Sequence, residues 1–125
     1  PVGFGFGLSG VEPDSGDPIY EAAFRDLQAI GSLLDGIEAG QITRGGGGAD
    51  IGPLMKSGVP GLGLRTVGEH YFDWHHTEAD TLDKIAPQDF KRAVAMLAVM
   101  SYILADMPER LVSADSYGPL AAASP

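Results

Sequence analysis

Residues Val2–Leu8 read VGFGFGL, glycine alternating with bulky apolar side chains. Successive side chains of a strand point to opposite faces. Phe4 and Phe6 therefore share one side and the glycines share the other. One face of such a strand needs a core against it. The bare face admits a helix or a backbone at close range. A second stretch, GLGLRTV after Pro60, repeats the alternation. Two strands of this kind point to a sheet with one covered face.

The chain has 125 residues, enough for one domain with a modest core. Its hydrophobic fraction of 44% and charged fraction of 20% are those of a globular protein. A net charge of −9 leaves no basic patch for phosphates, so no nucleic-acid partner is expected. With no cysteine, any metal must be held by His, Asp or Glu. No apolar run reaches the roughly 18 residues of a membrane span, so no membrane partner is expected, and no signal peptide is visible. The chain opens on Pro1 and runs straight into a core strand, as a processed or partial chain would. Residues 1–110 read as the folded unit. Residues 111–125, ending SYGPLAAASP, read as a poorly ordered tail.

Between the strands the pattern turns helical. SGVEPDSGD reads as a turn-rich loop. Asp17-Pro18 then offers an N-cap followed by proline at the first helical position. Ile19, Ala23, Leu27, Ile30, Leu34 and Ile37 form an apolar stripe of about five turns, with Gly36 and Gly40 as stops. Gln41–Thr43 suits a short strand. Asp50 suits the cap of a short helix over Ile51–Ser57, ended by Gly58. Pro87 opens the last helix, with Phe90, Ala93, Val94, Leu97, Ser101 and Leu104 on one face. Met96, Val99, Met100 and Ile103 widen that face. Pro108 stops it. The order predicts an α/β fold, a mostly parallel sheet covered by helices. Ligands of such sheets sit at the carboxyl ends of the strands, where both the Gly45–Asp50 loop and the segment after Val67 are expected.

That segment, YFDWHHTEADT, holds two adjacent histidines, three carboxylates and three aromatics, with His70 next to it. A local metal site would need three or four ligands converging on one point. Adjacent residues of an extended segment point apart, which argues against His75 and His76 sharing an ion. A polar surface loop, with histidines bonded to backbone or carboxylates, is the plainer reading. One histidine acting in a larger site is the third. Four glycines at 45–48 fit a flexible connector or a backbone passing close to a substrate. A phosphate loop is disfavoured, because Lys56-Ser57 comes too late. No serine sits in a glycine elbow to act as a nucleophile.

GGGGADIGPLMKSGVPGLGLRT followed by YFDWHHTEADTLDKIAPQDF resembles the C-terminal part of the co-catalytic dizinc exopeptidases. These include aminopeptidases and carboxypeptidases, and the closer likeness is to the plasma glutamate carboxypeptidase branch. The resemblance covers residues 1 to 110 and rests on three ordered blocks. It implies two zinc ions, a metal-activated water and a peptide substrate cut at one end. It also implies His76 as the last zinc ligand, Asp80 as the group orienting that ligand, and Gly47, Gly48 and Tyr71 as lining of the substrate cleft. His75 matches a neighbour of the ligand. Four of the five metal ligands and the general base have no counterpart here. The expectation is thus a fragment of a zinc exopeptidase, inactive alone, with zinc absent or weakly bound. A non-catalytic module reusing the half-fold is the alternative. Sheet surface left bare by the shortened fold predicts a homo-oligomer.

Overall fold

The computed structural model describes residues 3–9 and 17–112. Most of the expected SGVEPDSGD loop, with Glu12 and Asp14, and residues 113–125 lie outside the described residues.

The fold is α/β, as expected. Three strands, β1 (Gly5–Ser9), β2 (Gln41–Arg44) and β3 (Gly61–Arg65), lie in the order β2-β1-β3. β1 pairs parallel with β2 and antiparallel with β3. The sheet is therefore mixed, and this corrects the placement of the loops. β3 starts opposite Ser9 and ends opposite Gly5. The glycine loop leaves the carboxyl end of β2, beside that of β1. The histidine segment leaves β3 at the other end of the sheet. The glycine loop, a 3-10 turn and the short α2 (Gly52–Lys56) connect β2 to β3.

The two faces of β1 are used as its alternation requires. Phe4, Phe6 and Leu8 are buried with Tyr20, Ala23, Phe24, Leu27, Leu34, Met96 and Met100. Each fully buried side chain of this size is worth about 1.5–3 kcal/mol. On the bare face, backbone takes the room the glycines leave. A Cβ on Gly7 would collide with the carbonyl oxygen of Gly45, and one on Gly63 with the amide nitrogen of Gly47. α2 completes this side, with Ile51 and Met55 set against Gly61.

α1 (Pro18–Gly31) begins as its sequence predicts. Asp17 accepts a hydrogen bond from the Ile19 amide at 2.9 Å, and Pro18 opens the helix. The helix is shorter than the stripe implies. It passes at Gly31 into a 3-10 helix, Ser32–Ile37, which ends at Glu38 in the left-handed conformation. Gly31 lies where a Cβ would stand 2.6 Å from the Gly40 carbonyl, so the chain tightens to let Gly40 pass. The buried face is also rotated. Tyr20 and Phe24 enter the core, while Ile19 and Ile37 stay largely exposed. The Tyr20 hydroxyl donates to the Leu8 carbonyl at 2.9 Å, which fixes the helix on the strand. Arg44 reaches from β2 to Glu21 through two bonds of 2.7 and 2.9 Å and lies over the Phe24 ring. That hydrogen-bonded pairing lowers the Glu21 pKa and raises that of Arg44.

α4 (Pro87–Asp106) starts at Pro87 as expected, but only part of the broad predicted face is buried. Met96 and Met100 are buried, whereas Phe90, Val94, Leu97 and Tyr102 face out. Asp50 is also corrected. It lies inside a 3-10 turn, Ala49–Ile51, and no side chain caps either this turn or α2. Leu111 and Val112 pack on the core, two residues beyond the boundary drawn at 110. Among the described residues no helix is long and apolar enough to cross a membrane.

Candidate functional site

After β3 the chain turns into a single helical turn, α3 (Tyr71–Trp74), and then reverses sharply. His76 makes the reversal, with φ of +59°. A non-glycine residue in this region is uncommon and is held by its surroundings. Thr77 supplies much of the hold. Its hydroxyl donates to the Trp74 carbonyl at 2.6 Å and accepts from the Ala79 amide at 3.2 Å. The Asp80 carboxylate accepts from the backbone amide of His76 at 3.4 Å. Asp80 thus touches the main chain of His76 and braces the turn that presents its ring.

The left-handed bend changes the relation between the two histidines. The expectation that adjacent rings point apart rests on an extended backbone. Here the His75 and His76 ring centroids are 3.9 Å apart. His75 is bonded to the Tyr71 hydroxyl at 3.0 Å and stacks on that ring at 4.2 Å. His70 bonds Asp73 at 2.9 Å. Two of the three imidazoles are therefore already engaged within the loop, whereas the His76 ring makes no hydrogen bond among the described residues.

Two clefts lie beside the two loops, one at the histidine segment and one at the glycine loop. One, of about 500 Å3, is lined by Glu69, Tyr71, Trp74, His75, Asp80 and Phe90, among others. The other, of about 460 Å3, is lined by Gly46, Gly47, Gly48, Asp50, Gly63 and Arg65, among others. Gly47 and Gly48 thus line a different cleft from Tyr71, and His76 lines neither. Beside Lys84, which lines the first cleft, the Asp83 pKa is lowered to about 2 by its hydrogen bonds to Lys84 and then Thr81. Lys84 in turn lies 5.9 Å from the Trp74 ring.

The residues present do not by themselves fit a zinc ion. Among the described residues no group of three or more His, Asp or Glu side chains could hold one. Zinc needs at least three protein ligands, so no catalytic step through a metal follows from this chain's own side chains. Arg65 is the lining residue that sequence reasoning passed over. The signal was available: it extends the glycine alternation of β3 with a charge.

The fold and site define a small α/β unit that presents His76 on a left-handed turn, with one cleft at the histidine segment and another at the glycine loop. No protein-family model matches the chain, and no solved structure matches it. Curated relatives do match. The chain is 36% identical over 85 residues to Carboxypeptidase Q of Bos taurus, covering 68% of this chain and 18% of that protein. It is 37% identical over 91 residues to Carboxypeptidase Q of Pongo abelii, and 36% over 91 to that of Homo sapiens. Each of these covers 73% of this chain and 19% of the relative. The chain therefore spans less than a fifth of the length of the curated relatives it matches.

Proposed function

We propose that residues 1–110 form the C-terminal portion of the catalytic domain of a zinc-dependent exopeptidase that releases the carboxyl-terminal residue of a peptide. The similarity to Carboxypeptidase Q over about seven tenths of the chain carries this reading. His76 supplies one zinc ligand, and the other ligands and the general base come from sequence outside this chain. Asp80 holds the His76 turn through its amide contact. Gly47, Gly48 and Tyr71 face the substrate from the two clefts. A zinc ion held by His76 and the ligands outside this chain would supply Lewis-acid polarisation of the scissile carbonyl and an activated water. This chain alone does not hydrolyse peptides, because one imidazole does not hold a catalytic ion.

The test is made on the protein that contains this segment together with the remaining ligands. It should release C-terminal residues from N-blocked peptides in a zinc-dependent reaction. His76→Ala should abolish turnover. Asp80→Ala should lower activity or zinc affinity by about 10–100-fold, the usual effect of losing a group that supports a ligand. Wild-type turnover in the His76→Ala protein would overturn the assignment.

A further inference from the structure

Arg65 closes β3 on the glycine face of the sheet. Its cross-strand partner is Gly5, and Gly7 pairs with Gly63 beside it. With no side chains at these positions, the arginine stem lies flat on the strand. Its Nε stands 3.1 Å from where a Gly7 Cβ would be. That Nε is buried and has no hydrogen-bond acceptor among the described residues. Among the described residues the salt bridges join Arg44 to Glu21, His70 to Asp73, Lys84 to Asp83 and Arg92 to Glu38, and none includes Arg65. A buried charged donor without an acceptor is costly. It is an arrangement that a bound anion would relieve.

The cleft beside Arg65 suits an anion of one kind. Gly46 and Gly47 have φ of +115° and +112° and leave a wall of bare main chain. A guanidinium on such a wall matches the planar fork of a carboxylate. Asp50 lines the same cleft. Its charge repels a second negative charge, so a phosphate or dicarboxylate is disfavoured against a single carboxylate. We propose that Arg65, with the Gly46–Gly48 backbone, is a carboxylate-binding site that takes the free α-carboxylate of a peptide. This rests on the exopeptidase reading above and assigns the residue that recognises the carboxyl end.

The test uses the whole chain, labelled with 15N, and two probes: an N-acetylated dipeptide as the free acid and as its C-terminal amide. The acetyl group removes any contribution from an amino terminus. The Arg65 Nε–H resonance should shift and saturate with the acid and stay in place with the amide. Arg65→Lys keeps the charge but loses the fork, and should weaken acid binding at least tenfold at an unchanged melting temperature. Equal shifts with acid and amide overturn the site. So does no shift with millimolar acid, or binding of inorganic phosphate as tight as that of the acid. The comparison of acid with amide needs no variant, so it decides the matter if the substitution disturbs folding. The outcome is separable from the exopeptidase reading. Release of C-terminal residues by the complete protein, with no acid-selective shift here, would sink this site and leave that reading standing.

Discussion

Tyr20 shows how much one side chain settles. Its ring is fully buried, and its hydroxyl donates to the Leu8 carbonyl, which also accepts the Gly45 amide at 2.8 Å. One carbonyl at the end of β1 thus ties α1 and the glycine loop to the same strand. Removing the hydroxyl leaves the carbonyl its second donor and leaves the ring packed against Phe24. Tyr20→Phe should therefore cost about 1 kcal/mol, the net worth of a typical hydrogen bond. Urea unfolding would show this as a lower midpoint with an unchanged slope. His76 is the opposite case. Its residue type is visible in the sequence, but its left-handed backbone is not, since the bend depends on Thr77 and Asp80 closing the turn. The same bend sets the His75 and His76 rings side by side.

At the scale of elements, local signals marked the starts of helices better than their buried faces. Asp17 and Pro18 open α1 and Pro87 opens α4, because caps and prolines act within one turn. Asp17→Ala should cost about 1 kcal/mol through loss of the bond to the Ile19 amide. Thermal unfolding followed by circular dichroism would register it. An unchanged melting temperature would mean that the cap contributes nothing. Asp50 has a cap's sequence context but lies inside a 3-10 turn, because the chain winds early at Ala49. Which side of α4 is buried was not legible either. Both sides carry apolar residues, and only docking on the core against α1 selects Met96 and Met100 over Phe90, Val94 and Leu97.

For the whole molecule, the consequence is an apolar surface left in solvent. Phe72 is 87% exposed, Leu82 81% and Tyr102 68%, and Phe90, Val94 and Leu97 on α4 are exposed as well. β3 is also an edge strand among the described residues. Such a combination invites a second copy of the chain, and we expect self-association of the isolated chain. Light scattering at high concentration should give a mass above the monomer, and Val94→Lys should reduce it. A clean monomer across the range would refute this. The sequence alone determined the alternating strands, the helix starts and, from their order, the α/β class, because periodicity, caps and prolines act within a few residues. Tertiary structure alone decided that β3 runs antiparallel, which places the glycine and histidine loops at opposite ends of the sheet. It also decided that Arg65 lies over the glycine face, with its Nε unpartnered among the described residues. Strand direction and side-chain partners depend on residues far apart in the chain, and no local pattern encodes them.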